Sequence, residues 1–350
     1  MGDFIKFYVR QDFEIHVPKS FSHYRYIKTI GNGAFSVVVL VKSDRTGELY
    51  ACKIVSRILL TNEGYFGKFE QELRILQGLV HPNIVRIEDV IFEEELIFVI
   101  MEYYPNGELF GYIVSREFLP EHEIKRVFGQ IVSTVAYLHE KNISHRDLKP
   151  ENIVMDENDS PKLIDFGLSK FSIKQQLLST PCGSPFYAAP EIIGNEHYDG
   201  KSADIWSLGV ILFAMATGSL PWTEVNRNGL YQQIFNVEFT IPQTVSPAIA
   251  STIKRMLIKD PKNRITAKEI SNLPWISNTD LLLHFNTYSN KSKPNLVTGR
   301  NKNLFGSGLF VNQRKKSTLE IRNIEIKKHL EPISSIIRRA PIPIIKKNVF

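Results

Sequence analysis

At 350 residues, with 43% hydrophobic and 23% charged residues, the chain has the make-up of a globular protein with room for roughly two domains of about 150 residues each. No apolar run approaches the roughly 20 residues that span a bilayer, the N-terminus MGDFIKFYVRQ lacks the layout of a secretory signal, and Lys6 stands where a myristoylation signal wants Ser or Thr. The net charge of +6 hides an asymmetry, because residues 277 to 350 carry 14 Lys and Arg against 4 Asp and Glu while the rest carry 29 basic and 33 acidic residues. A basic tail follows a mildly acidic body.

In chain order, residues 1 to 23 read as an N-terminal extension and residues 24 to 100 as strands with one helix. TIGNGAF and SVVVLVK form a hairpin, and LYACKIV is a further strand. GKFEQELRILQGLV is helical, with Phe69, Leu73, Leu76 and Val80 at helical spacing on one face. IVRIEDVIFEEELIFVIMEY supplies two more strands around an acidic turn. From about residue 108 the pattern becomes helical, in EHEIKRVFGQIVSTVAYLHEKN, KSADIWSLGVILFAMATG and PAIASTIKRMLI. The long polar stretch between the first two of these is expected to be functional, since compact domains do not keep structureless loops of that length otherwise. Cys52 and Cys182 are too few for a disulfide framework or a zinc site, so a reducing compartment, cytosol or nucleus, is expected.

The hairpin raises the first chemical question. Gly31 and Gly33 let backbone N–H groups approach an anion with no Cβ in the way. A dinucleotide fingerprint would follow them with a helix, whose N-terminus carries the pyrophosphate. Val37, Val38, Val39, Leu40 and Val41 prefer a strand instead, so the charge of any bound phosphate must be met elsewhere.

I-G-N-G-A-F-S-V-V, A-C-K at 51 to 53, H-R-D-L-K-P-E-N at 145 to 152, D-F-G at 165 to 167, A-A-P-E at 188 to 191, D-I-W-S-L-G at 204 to 209 and Arg264 follow one another in that order. By these motifs the chain resembles a eukaryotic protein kinase over 253 residues, 24 to 276. It implies an α+β bilobal fold: a small β-rich lobe over about 24 to 101 with one main helix, a hinge at 102 to 107, and a mostly helical lobe over 108 to 276. LLSTPCGSPFYAAPE is most similar to the calcium/calmodulin-dependent group, and inside it to the sucrose-non-fermenting and AMP-activated branch.

The resemblance implies ATP and Mg²⁺, with Mn²⁺ as a substitute, as cofactors. By it, Ile30, Gly31, Asn32, Gly33, Ala34, Phe35, Ser36, Val37 and Val38 form the flap over the nucleotide, and Lys53 supplies the cation the flap lacks, aimed by Glu72. Glu70 would point to another face of the helix. Ile30, Val38, Ala51 and Val154 would wall the adenine, Met101 would stand behind it, and the backbone of Glu102 and Tyr104 would bond its edge. Asp147 would be the general base, Lys149 would neutralise charge on the transferred group, and Asn152 and Asp165 would hold the metal. Glu108 would reach the ribose or a basic substrate residue.

Lys149 and Ser184 resemble the serine/threonine branch, so protein substrates carrying Ser or Thr are implied. Glu108 and Glu151 suit an Arg three residues before the target, and Gln232 argues against a second Arg at −2. Thr180 is the expected activating phosphosite for an upstream kinase or for the enzyme itself, with Arg146 as partner of its phosphate. Glu191 with Arg264, and Asp204 with the catalytic-loop backbone, are expected to brace the fold. Ser36 replaces the usual third flap glycine, which weakens the fingerprint more than the activity. A catalytically weak pseudokinase scaffold is the alternative. Residues 277 to 350 read as a largely unstructured basic extension without a specific nucleic-acid or calmodulin signature. Arg314-Lys315-Lys316-Ser317 fits the expected substrate pattern, so an intramolecular contact of the tail with the active site is an expectation to test.

Overall fold

The computed structural model describes residues 4–10, 13–33, 36–171, 177–178, 183–224 and 226–277. The tail, with its substrate-like Ser317, lies outside them. Near the N-terminus, β1 (Phe4–Arg10) and β2 (Phe13–Pro18) pair as an antiparallel hairpin. A six-stranded antiparallel sheet follows, built from β3 (Ser20–Phe21), β4 (Tyr24–Asn32), β5 (Ser36–Ser43), β6 (Leu49–Ser56), β7 (Ile87–Phe92) and β8 (Leu96–Glu102). Its strand order is β3-β4-β5-β6-β8-β7. Between β6 and β7 come α1 (Arg57–Asn62), capped by the Ser56 hydroxyl, and α2 (Phe66–Gln77).

Period-2 alternation sorts the side chains of this sheet. Val37, Val39, Val41, Cys52, Ile54, Phe98 and Ile100 share one face, and there they pack with Val9, Ile15 and Val17 of the hairpin. The opposite face carries Val55, Ile97 and Val99, which pack with Phe69, Leu73 and Leu76 of α2. Lys53 has the parity of Val55, so it points to the α2 side. The described part of the expected extension, residues 4–10 and 13–23, is therefore packed on the sheet through its hairpin and joins it through β3. The expected helix over GKFEQELRILQGLV ends at Gln77, and Val80, expected on its apolar face, is 63% exposed. Gly78 closes the helix, its N–H bonding back to Arg74 and Ile75, and the apolar period simply runs past that stop.

The second lobe begins with α3 (Leu109–Val114) and the long α4 (Glu121–Glu140). Four short strands carry the polar stretch: β9 (Ile143–Ser144), β10 (Ile153–Met155), β11 (Pro161–Leu163) and β12 (Lys170–Phe171), with β10 paired to β11 and β9 to β12. Then come α5 (Pro190–Ile193), α6 (Gly200–Thr217), α7 (Arg227–Asn236), α8 (Pro247–Met256), α9 (Ala267–Ser271) and α10 (Pro274–Ser277). Helix α6 is apolar nearly all round and buried along most of its length, as a central helix must be. The Asp199 carboxylate caps its start, accepting from the N–H groups of Lys201 and Ser202. Among the described residues no helix is long and apolar enough to cross a membrane.

Candidate active site

The site is assembled from the β5 and β6 strands, helix α2 and the loops between β9 and α5. In β5, Val38 is half-buried between the buried Val37 and Val39, and Ala51 and Lys53 of β6 are likewise half-buried. Val38 is in register with Lys53, and Ala51 with Met101 of β8. Val154 of β10 is also half-buried and forms a β-bridge with Glu108. Val38 from β5, Ala51 from β6 and Val154 from β10 are thus apolar side chains left partly open beside buried neighbours, the requirement for a slot that takes a flat ring, while Ile30 of β4 stands 39% exposed on a largely exposed strand. Above them, the Gly33 N–H donates to the Ser36 carbonyl at 2.7 Å, and a Cβ on Gly33 would come 2.9 Å from the Ser36 hydroxyl. A side chain there would have to displace that hydroxyl. Ala34 and Phe35 lie outside the described residues.

The hinge turns its side chains away from this slot. Glu102 pairs with Arg86 at 3.5 Å and accepts a bond from the Tyr104 hydroxyl at 2.6 Å, and Lys162 sits 5.5 Å from the Tyr104 ring centroid. Glu102, Tyr104 and Lys162 line a cavity of about 680 Å³ that contains neither Lys53, Asp147 nor Asp165. What the hinge can offer a base in the slot is main chain.

Lys53 and Glu72 meet across the sheet and α2, with Nζ 2.8 Å from Oε1. Burial pushes the Lys53 ammonium toward neutrality, but Glu72 and Asp165 outweigh it and leave its pKa raised. Glu70, as expected, faces elsewhere and pairs with Arg74 at 2.6 Å. Asp165 feels the same balance with the opposite sign: burial raises its pKa, and Lys53, the Gly167 N–H, His145 and Lys149 together bring it below the ordinary carboxylate value. The Gly167 N–H reaches Asp165 Oδ1 at 2.9 Å, and Phe166, buried between them, packs edge-on to His145 with centroids 5.1 Å apart. His145 is fully buried, and burial lowers its pKa. Its ring is packed against Phe166 in the buried layer behind the catalytic loop, a contact that no local sequence pattern announces.

Asp147 is held from three sides. Lys149 Nζ lies 2.9 Å from Oδ2, Asn152 Nδ2 donates to the same oxygen at 2.9 Å and to the Asp147 carbonyl at 2.8 Å, and the Ser184 N–H donates to Oδ1 at 3.2 Å. Lys149 Nζ also reaches the Ser184 hydroxyl at 3.1 Å. Gly183 makes this approach possible: its φ is +97°, and a Cβ there would lie 2.9 Å from the Arg146 carbonyl. Behind the loop, Asp204 accepts the N–H groups of His145 and Arg146 at 2.8 and 2.7 Å, as expected. Glu191 and Arg264 form the expected buried bidentate pair at 2.6 and 2.7 Å.

Burial and the neighbouring Glu151 raise the pKa of Glu108, against a smaller opposing pull from Lys149. One carboxylate oxygen of Glu151 is buried without a hydrogen bond. The two acids stand close enough for the charge of one to disfavour ionisation of the other. Arg146 donates from Nε and Nη2 to the Tyr198 hydroxyl at 3.0 and 2.8 Å, and from Nη1 to the Leu168 carbonyl at 3.3 Å. Thr180 lies outside the described residues.

The arrangement can hold a polyanion under the flap against the Lys53 ammonium, and can set an aspartate beside it to take a proton. For a divalent ion the fit is good: the amide N–H bonds of Asn152 direct that side chain's oxygen away from Asp147, and Asp165 is kept ionised. These are hard oxygen donors, and Mg²⁺ takes one or two such groups plus phosphate and water. Among the described residues no cluster of three or more His, Cys, Asp or Glu could hold a metal by itself.

Comparison with known proteins agrees with this geometry. The protein kinase domain model matches residues 24–276. The carbon catabolite-derepressing protein kinase of Saccharomyces cerevisiae is 43% identical over 253 residues, covering 72% of this chain and 40% of that protein. The SNF1-related protein kinase catalytic subunit alpha KIN12 of Arabidopsis thaliana is 43% identical over 256 residues, 73% of this chain and 52% of its own length. The serine/threonine protein kinase OSK3 of Oryza sativa is 41% identical over 257 residues, 73% of this chain and 51% of that one. The chain spans about half the length of the curated relatives it matches, or less. With its motif order and two-lobed fold, and with its likeness to SNF1-type serine/threonine kinases over that region, the chain belongs to the protein kinase family.

Proposed function

We propose that the chain transfers the γ-phosphoryl group of ATP to serine or threonine hydroxyls of proteins, with residues 24 to 276 as the kinase domain between an N-terminal extension and a basic tail. The observation that carries this reading is the Lys53–Glu72 pair, the triply held Asp147 and an Asp165 that both Lys53 and Lys149 help to keep ionised. Ile30, Val38, Ala51, Met101 and Val154 enclose the adenine, and the Glu102 carbonyl and Tyr104 N–H bond its edge. Lys53, kept protonated by Glu72, meets the phosphates. Asn152 and Asp165 would hold Mg²⁺, with Mn²⁺ as substitute, whose chemistry is to neutralise charge on the phosphate oxygens. Asp147 accepts the proton of the substrate hydroxyl, and Lys149 offsets negative charge on the group in transit while fixing the Ser184 side chain.

Glu108 and Glu151 recognise an Arg three residues before the target, a reading supported by their mutual charge effect and by the Glu151 carboxylate oxygen that is buried without a hydrogen bond. Phosphorylation of Thr180 by an upstream kinase activates the enzyme through Arg146, a reading supported by motif likeness alone. Cytosol or nucleus is the proposed compartment, on the cysteine usage. A non-transferring scaffold has nothing in its favour, since Lys53, Asp147, Asn152 and Asp165 are all present and directed at one place.

The test is transfer of labelled phosphate from ATP to an arrayed peptide library. Serine and threonine peptides with Arg at −3 should be the best acceptors. Asp147→Asn, which keeps the shape, should lower kcat by roughly 10²–10⁴-fold. Retention of full turnover by that variant, or transfer to tyrosine alone, would overturn the proposal.

A further inference from the structure

We propose that Tyr198 is a positioning residue for phosphoryl transfer: its phenol oxygen holds the Arg146 guanidinium, and thereby the peptide carrying Asp147, in register with the activation segment. This rests on the kinase reading above. Arg146 has φ +71°, the left-handed region that an L residue with a side chain enters only at a cost. Such a conformation persists where the surroundings fix it from several directions. At Arg146 they do. Its N–H is taken by Asp204, its Nη1 reaches the Leu168 carbonyl, and its Nε and Nη2 converge on one atom, the Tyr198 hydroxyl oxygen.

That convergence is chemically apt, because a phenol oxygen can accept two N–H bonds and the guanidinium presents its donors as a planar fork. Tyr198 is only 2% exposed, so its ring is fixed by the surrounding core. Its main chain does a second job. The N–H and C=O of Tyr198 exchange two hydrogen bonds with Leu178, at 2.8 and 2.9 Å. A single residue thus ties the catalytic loop with its side chain and the activation segment with its backbone, while Leu168, next to Gly167, is reached through Arg146. Losing the phenol oxygen leaves Arg146 with one fewer constraint on a strained backbone, and the peptide it shares with Asp147 is free to rotate toward an ordinary φ.

Tyr198→Phe in the full chain removes one oxygen and keeps the ring. With the best acceptor peptide, kcat is expected to fall about tenfold, with the KM for ATP within about twofold of the parent. In an Arg146→Ala background the same change should have no further effect. An undiminished kcat overturns the proposal, and so does an equal loss in both backgrounds, which is what a purely packing role would give. Hydrogen exchange needs no turnover: amides 145 to 148 should exchange roughly tenfold faster in Tyr198→Phe. Unchanged exchange refutes the positioning role even if the chain proves to transfer no phosphate, whereas faster exchange without any transfer would leave the contact standing and overturn the kinase reading alone.

Discussion

Single charges in the cleft are arranged so that they do not change near neutral pH. A lysine whose folded pKa is raised keeps its stabilising contribution until pH climbs through that raised value, and a carboxylate whose folded pKa is lowered loses its contribution only as pH falls through the lowered one. Lys53 is of the first kind and Asp165 of the second, so both stay charged across the whole physiological window. Glu108 differs, since burial and Glu151 move its pKa upward, toward neutral pH. Its ionised form attracts a guanidinium and its protonated form does not, so the KM of a peptide with Arg at −3 should fall as pH rises through this value and then level off. A peptide with Ala at −3 should lack that limb, and Glu108→Gln should flatten it for the Arg peptide. Initial-rate measurements from acidic to neutral pH on both peptides check this; identical profiles would remove Glu108 from substrate recognition.

At the level of strands and helices, the N-terminal hairpin is the main element that sequence reasoning did not place. Local alternation could not reveal it, because Phe4, Lys6 and Tyr8 on one side and Ile5, Phe7 and Val9 on the other make β1 look like any half-exposed strand. The signal lay in β5: the unbroken run Val37 to Val41 buries side chains on both faces, and a sheet with one helix beneath it needs a second cover. Motif residues were legible for the opposite reason. Lys53, Asp147, Asn152 and Asp165 stand at spacings the chemistry imposes locally, whereas Gly183 against Arg146, or Tyr198 against Leu178, are encounters between distant segments that no local pattern encodes. If the hairpin is a true part of the lobe, Ile15→Ala, at a site only 4% exposed, should cost about 2 kcal/mol, the lower end for such truncations because a surface hairpin can settle into the gap. Urea unfolding would show this as a lower midpoint with an unchanged slope. An unshifted midpoint would mean the hairpin detaches before the lobe unfolds.

Across the molecule, the second lobe is held by charge at a place where charge is costly. Glu191 at the start of α5 and Arg264 before α9 are 73 residues apart in sequence, and their side chains are 4% and 1% exposed. Arg264 spends its remaining donors on the Ser202, Ile258 and Lys259 carbonyls, and its guanidinium lies 5.0 Å from the Trp206 ring centroid. With every donor used, the pair fixes the C-terminal end of the activation segment to α6 and to the turn after α8. A buried pair of this kind adds little net stability compared with apolar replacements, but removing one partner strands the other. Arg264→Met should therefore lower stability by about 3–5 kcal/mol, while the double replacement Glu191→Leu with Arg264→Met should recover much of that loss. The same double variant removes the geometric restraint on the segment that ends at Glu191, so it should stay poorly active even where it is well folded. Chemical unfolding and peptide kinetics on the same preparations separate the two effects. Full activity in a stable double variant would show that the brace serves folding alone; no recovery of stability would show that the carbonyls bonded by Arg264, more than Glu191, are what its loss leaves unpaired.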